Sequence, residues 1–532
     1  MDVPILEIRN LSVALPRGLD RAFAVEGVSL SVRPREIACV VGESGSGKSV
    51  TASVVMGLLP KSLSITSGSV RLEGEEISRA SEARMNTLRG NRMAMIFQEP
   101  LTALNPVMRL GDQIAEVLAL HKPEMSKAAG HQRVLELMED VRLPSPETIY
   151  RRYPHQISGG QRQRVMIAMA LAMEPALIIA DEPTTALDVT TQAQILRLFK
   201  ELLVKHDSGI LMITHDFGVV ADVADHVTVM QHGRVVESGV PDEVLGNPQH
   251  PYTRELIAAV PRLRYLPAAA PAEPTLEVKN LHLTYRQTGW FRKTQEVHAL
   301  DGVSFALAPR ETLGIVGESG SGKSTLAKAV LGFEQPNGGE ILFGNHDLLS
   351  LSASALANVR HRIQMIFQDP YSSLNPRRRI GQSLVEGPVR HGKSTADARR
   401  RAIELLELVG LQASSMDRFP HEFSGGQRQR LCIARALALE PEVIVADEAV
   451  SALDVTVQAQ VLDLFKSLQK ELGFAMLFIT HDLRVASNIC NQIAVMRRGR
   501  IVEMGEAKSV FENPQHGYTR ELLAALPGAE LR

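Results

Sequence analysis

Cysteine is scarce in this chain: Cys39, Cys432 and Cys490 are the three in 532 residues. They stand far apart, with no CxxC pair and no histidine at ligand spacing. That pattern argues against a disulfide framework or a zinc site and fits a reducing compartment. Iron–sulfur ligation by four thiolates is impossible within the chain alone. Cys39 lies in the apolar run IACVV and reads as a core residue. Long apolar runs are missing too. No stretch reaches the roughly 18 residues of a membrane span, and the best are short, such as ALIIA and MLFIT. The N-terminus MDVPILEIRN is charged at once and has no apolar segment of the secretory kind. A chain that crosses no membrane is expected, although it could dock on a protein that does. Net charge is −2, so no overall basic character points to nucleic acid, and none is expected as a partner. Trp290 is the single tryptophan, which makes it a lone fluorescent reporter.

What is present is length and repetition. A chain of 532 residues is too long for one core and suits two to four domains. LEIRNLSVAL from Leu6 returns as LEVKNLHLTY from Leu276, and GESGSGKSV from Gly42 as GESGSGKST from Gly317. FQEPLTALNP from Phe97 returns as FQDPYSSLNP from Phe367, and SGGQRQR occurs at Ser158 and Ser424. DVTTQAQIL, ITHD and NPQHPYTREL, from Asp188, Ile213 and Asn247, recur from Asp454, Ile479 and Asn513, the first and last with small changes. A repeat this long is a duplicated domain, not a solenoid unit. The repeat predicts a domain over 1–260, a linker over 261–275 and a second domain over 276–532, each domain ending in a C-terminal extension. The linker PRLRYLPAAAPAEPT is rich in Ala and Pro and reads as an exposed, semi-extended tether spanning roughly 45 Å at ~3.1 Å per residue. In each half short apolar runs (IACVV, ALIIA and GILMIT, then TLGIV, EVIVA and AMLFIT) alternate with helix-like stretches. That alternation predicts an α/β domain with a mainly parallel sheet.

GxxxxGKS after an apolar strand is a phosphate-binding loop. Gly42, Gly45 and Gly47, and Gly317, Gly320 and Gly322 in the second copy, let backbone N–H groups close on phosphate oxygens. The following helix adds its positive N-terminal end. Lys48 and Lys323 can reach the β- and γ-phosphates, and Ser49 and Ser324 can ligate Mg²⁺. Further on, apolar strands end in Asp181-Glu182 and Asp447-Glu448. The first carboxylate of each pair can hold Mg²⁺ through water, and the second can orient and polarise the attacking water. Isolated acids would read as a solvated loop; a strand that pins them at the sheet edge beside the phosphate loop makes them a site.

SGGQ after Ile157 and Phe423 resembles the signature of ATP-binding cassette (ABC) ATPases. With it come Gln98 and Gln368, the ALD triplets at Ala186 and Ala452, and the histidines His215 and His481, in the family's order and in both halves. The resemblance implies two tandem cassettes, each with a helical subdomain, working head-to-tail on ATP and Mg²⁺. Gln98 and Gln368 would serve catalysis and the metal, and His215 and His481 catalysis. Ser424, Gly425 and Gly426 would complete the site of Lys48, and Ser158, Gly159 and Gly160 that of Lys323. FQEPLTALNP, DVTTQAQIL and the NPQH endings are similar to the peptide/nickel-type importer ATPases, here fused into one chain. That kinship implies ATP hydrolysis driving a bacterial importer of peptides or related small solutes. Two transmembrane permease subunits and a periplasmic solute-binding protein would be its partners. The chain would sit peripherally on the cytoplasmic face of the inner membrane, with permeases docking at Leu101–Arg109 and Tyr371–Arg379. A double-cassette translation factor acting on ribosomes is the rival, but such proteins carry long charged helical linkers. The halves also differ. Val50 stands where Thr325 stands, and Leu15 aligns with Tyr285, the family's aromatic under adenine, leaving open whether Phe23 replaces it. Met169 aligns with Arg435, and Ala449 with Pro183. Thr325 and Tyr285 are expected to make the second site the tighter one, reported by Trp290.

Overall fold

In the computed structural model, which describes residues 3–18, 21–184, 187–268, 270–289, 292–451 and 453–528 and leaves the side chains of 287–289 and 292–295 undescribed, the apolar runs named above are strands. The chain divides into two units: Met1–Leu187 with Thr191–Val260 and Pro527–Arg532, and Asp188–Thr190 with Pro261–Leu526.

Unit one is built on a six-stranded sheet in the order Arg234–Gly239, His226–Gln231, Ile37–Val41, Gly209–Ile213, Leu177–Asp181, Met93–Ile96. All neighbours are parallel except the Arg234–Gly239 edge. Ile37–Val41 is buried at every position because both faces are covered. Ile37, Cys39 and Val41 pack with the helices, whereas Ala38 and Val40 pack toward a second sheet. That sheet, largely antiparallel, runs Phe23–Val32, Leu6–Ala14, Ser64–Leu72, Glu75–Glu76. Helix Lys48–Val55 joins its core through Ala52, Val54 and Val55. Helices Leu110–His121 and Lys127–Asp140 form the helical region, whose apolar residues share a core with helix Gly159–Ala170.

Unit two repeats this plan: Ile363–Ile366, Val443–Asp447, Ala475–Ile479, Thr312–Val316, Gln492–Arg497, Arg500–Glu506. Its antiparallel sheet runs Arg292–Leu307, Leu276–Gly289, Gly338–Phe343, His346–Asp347. Helices Ile380–Arg390 and Thr395–Leu408 form its helical region. Register places the site. Asp181 lies opposite Ile213 and Asp447 opposite Ile479, and Val40 and Ile315 pair with Ile213 and Ile479. The residues that follow these strands therefore leave each sheet at one edge, where α/β proteins bind ligands.

The stretch expected as an exposed, semi-extended tether is partly strapped to unit two. Tyr265 stacks on Phe511 with ring centroids 6.1 Å apart. Asn488 and Asn491 donate their Nδ2 groups to the Arg262 and Pro267 carbonyls at 2.7 and 2.8 Å. Ala268 and Ala270–Pro274 are exposed. An aromatic and two asparagine donors are enough to hold the first half down, which Ala/Pro composition alone does not reveal. All three cysteines are free and buried. Burial pushes the Cys432 thiol up to about 11 and raises those of Cys39 and Cys490 as well. Among the described residues no helix is long and apolar enough to cross a membrane.

Candidate functional site

Each phosphate loop leaves the central strand through a glycine that nothing else could replace. Gly42 has φ 149° and a Cβ there would meet the Met230 carbonyl oxygen at 2.2 Å; Gly317 has φ 150° and would meet that of Met496 at 2.2 Å. Each loop then opens into the helix starting at Lys48 or Lys323. The lysines are buried and fold back over their loops. Lys48 Nζ donates to the Gly42 and Glu43 carbonyls at 2.7 and 2.8 Å, and Lys323 Nζ to those of Gly317 and Glu318 at 2.8 Å each. Burial lowers the Lys323 pKa, opposed by the charges of Glu448, Asp447 and Glu318. A buried ammonium folded over loop carbonyls leaves positive charge beside the loop's N–H groups, an electrostatic site suited to an anion.

The strand-end acids converge on the same loops. Ser49 Oγ donates to Asp181 Oδ1 at 3.3 Å, and Ser324 Oγ to Asp447 Oδ1 at 3.2 Å. Burial raises the pKa of both aspartates against the lowering effect of these serines. Gln98 Nε2 donates to Glu182 Oε2 at 2.7 Å, and Gln368 Nε2 to Glu448 Oε2 at 2.8 Å. His215 Nδ1 lies 3.1 Å from Glu182 Oε1, and His481 Nδ1 3.4 Å from Glu448 Oε1. Both glutamates have φ 47°, in the left-handed region, and their N–H groups donate to the Ile213 and Ile479 carbonyls at 2.8 and 2.9 Å. Lysine, serine, aspartate, glutamate, glutamine and histidine are thus gathered twice, once within each unit.

The histidine pairs have a pH signature. Burial alone would lower the His481 pKa, but the hydrogen bond and charge of Glu448 raise it above 6.5. The His215 shift has the same direction and causes, with Glu182 as partner. Burial would raise Glu448, but His481 and Lys323 hold it below 4.5. The raised imidazole contributes stability that is full below 6.5 and lost as pH rises through its folded value. The lowered carboxylate contributes above 4.5, and that part is lost as pH falls through its own folded value. The melting-temperature gap between wild type and His481→Asn should therefore peak between these limits and shrink toward pH 9 by a few °C, about the response of such a unit to ~1 kcal/mol. A gap that stays flat or widens toward pH 9 in thermal melts contradicts the pairing.

Ser158 and Ser424 cap the helices Gly159–Ala170 and Gly425–Leu437 through boxes with Gln161 and Gln427. Gly160 and Gly426 are needed for packing, since a Cβ would meet Thr191 Cγ2 at 2.6 Å or Val457 Cγ1 at 2.4 Å. Gly159 and Gly425 face open space. On the expected adenine side, Tyr285 meets Thr325 and Glu334 with its hydroxyl, whereas Leu15 and Val50 pack on the apolar core. Phe23 pairs with Ala14, the register position that His298 and Thr284 hold in unit two, so it is not the counterpart of Tyr285. Ala186, Ala452 and Trp290 lie outside the described residues. After the glutamines, Leu101 and Val107 are 56% and 79% exposed, and Tyr371 is 64% exposed. Two features escaped the sequence reading. Arg21 Nη2 donates to the Gly45 carbonyl at 2.6 Å. Tyr252 and Tyr518, in the NPQH endings, reach the phosphate loops; the near-identity of those endings was the available signal.

The ABC transporter family matches residues 25–185 and 300–451. The oligopeptide/dipeptide transporter C-terminal region matches residues 236–279 and 502–530. The glutathione import ATP-binding protein GsiA of Shigella boydii serotype 4 is 49% identical over 99% of this chain and 90% of its own length. Its namesake in Escherichia coli is likewise 49% identical, with the same shares covered. That of Salmonella typhimurium is 48% identical, again over 99% and 90%.

Proposed function

This chain belongs to the ABC transporter family as a double-cassette ATP-binding protein of the importer type, and we propose that the solute it drives inward is glutathione or another small peptide. It is an ATPase, it binds ATP, and its partners are membrane permeases. One observation carries the substrate reading: the oligopeptide/dipeptide C-terminal region occurs after both cassettes, in relatives' company that runs nearly the full length. The ribosome-acting alternative has no such support.

The finer assignments are proposals. Each cassette with its extension, 1–260 and 276–532, would act as one half of the motor. Lys48 and Lys323 would hold the phosphates, Glu182 and Glu448 would polarise water, and the paired glutamine and histidine would orient each glutamate. The hard oxygens of Ser49 with Asp181, and of Ser324 with Asp447, suit Mg²⁺, which typically takes only one or two protein oxygens beside phosphates and water. Gln98 and Gln368 complete that set. When bound, Mg²⁺ neutralises phosphate charge. Head-to-tail completion by Ser158–Gly160 and Ser424–Gly426, a periplasmic binding protein, and a place on the cytoplasmic face of the inner membrane follow from the family kinship. The exposed apolar residues Leu101, Val107 and Tyr371 suit permease docking.

Cells lacking this chain should lose uptake of labelled glutathione or of a labelled small peptide. The wild-type chain should restore it, and a Lys48→Ala/Lys323→Ala chain should not. Undiminished uptake of both solutes in the deleted strain would overturn the substrate reading.

A further inference from the structure

The repeated NPQH endings do more than mark kinship: in each unit a tyrosine of the ending reaches the phosphate loop. Glu43 N–H donates to the Tyr252 hydroxyl at 3.1 Å, and Glu318 N–H to the Tyr518 hydroxyl at 3.1 Å. Both tyrosines are buried, 6% and 2% exposed. Each is set from behind in the same way. In unit one, the Glu237 carboxylate accepts from Gln249 and His250 N–H at 2.7 and 3.1 Å, and His250 Nδ1 accepts from Tyr252 N–H at 3.2 Å. In unit two, Glu503 accepts from Gln515 and His516 N–H at 2.7 and 3.0 Å, and His516 Nδ1 accepts from Tyr518 N–H at 3.1 Å. Arg497 also lies over the Tyr518 ring, 4.4 Å from its centroid.

The bonded N–H belongs to a particular peptide unit. In Gly42–Glu43, the oxygen accepts from Lys48 Nζ at 2.7 Å and the nitrogen donates to Tyr252. In Gly317–Glu318, Lys323 and Tyr518 hold the two ends. A peptide following a glycine at positive φ has little steric resistance to turning over. While the lysine rests on the carbonyl, both ends are tied. When the lysine turns to a phosphate, the oxygen is released and the tyrosine becomes the remaining tie.

We propose that Tyr252 and Tyr518 are positioning residues that stop the first peptide of each phosphate loop from turning over when the lysine engages nucleotide. The C-terminal extension is then part of the nucleotide site, acting from outside the loop without touching ATP. The competing explanation is that a buried phenol needs some partner and has found the nearest N–H. The two differ in what the hydroxyl does for nucleotide. The inference rests on ATP binding by the cassettes and not on which solute is carried, so no transport measurement enters its test.

The test uses the full-length chain with Tyr252→Phe, Tyr518→Phe and the double variant. Phe keeps the ring and its packing and removes only the hydroxyl. The double variant should show KM for ATP raised about 2–10-fold, the worth of one hydrogen bond per site. Its kcat should stay within about twofold and its nucleotide-free melting temperature near wild type. Amide exchange at Glu43 and Glu318 should quicken in the same variants. An unchanged KM in the double variant overturns the proposal, even if the protein melts lower, because a packing role moves the melting temperature and not the KM. Exchange at the two glutamates as slow as in wild type overturns it as well.

Discussion

Replacing both Glu182 and Glu448 by Gln should cut ATP turnover by about 10²–10⁴-fold, the usual worth of a positioned general base, while ATP binding persists. The geometry favours this strongly. Each glutamate takes one hydrogen bond from a glutamine and faces a histidine nitrogen with its other oxygen. Both oxygens are thus oriented, and the side chain sits beyond the strand end that carries Asp181 or Asp447. Gln keeps the size and part of the hydrogen bonding but cannot accept a proton from water. The phosphate loop and its lysine are untouched, so nucleotide should still bind and be held longer. A control follows from the backbone. Non-glycine residues at φ 47° carry strain on the order of 1–2 kcal/mol, which Gly would relieve. Glu182→Gly and Glu448→Gly should be as inactive as the Gln variants and melt at or above them. Inactivity with intact stability is then chemical. Turnover within a few-fold of wild type in the Gln double variant would remove these residues from the base role.

Much of this site was legible because its parts are local. A phosphate loop is a run of consecutive residues, and the strands before Asp181 and Asp447 announce themselves as apolar runs. Continuous burial of Ile37–Val41 follows from a strand covered on both faces. Other features were harder to read, some because their partners are remote in sequence. Tyr252 and Glu43 are 209 residues apart and Tyr518 and Glu318 are 200 apart. The left-handed backbone of Glu182 leaves no compositional trace, since glutamate is not the residue that conformation favours. Composition left open whether Phe23 replaces the aromatic missing at Leu15; only the strand register, which pairs it with Ala14, gives it the position of His298. The strap at Tyr265 was hidden because Ala and Pro around it suggest an exposed, semi-extended tether.

Gly159→Asp and Gly425→Asp should lower ATP turnover by on the order of 10²–10³-fold, as loss of a backbone anion site does, without lowering stability. Neither glycine is required by the fold. A Cβ at either position meets nothing within 4 Å, unlike Gly160 and Gly426, which abut the neighbouring helix. Each opens a helix whose cap is complete: the Ser158 and Ser424 hydroxyls accept from the Gln161 and Gln427 N–H groups, and the serine N–H groups donate to the glutamine Oε1 atoms in return. An aspartate in the first turn favours such a helix by about 0.3–1 kcal/mol, so melting temperatures should hold or rise. The same carboxylate repels a phosphate presented to that turn. Which phosphate it repels is read by pairing variants in the Glu182→Gln/Glu448→Gln background, where bound nucleotide should be retained through gel filtration. If the sites are completed head-to-tail, Lys48→Ala with Gly425→Asp damages one site twice, and the chain still retains nucleotide. Lys48→Ala with Gly159→Asp damages both sites, and the chain retains none. The opposite pattern would assign each signature to the phosphate loop of its own unit and overturn the head-to-tail proposal.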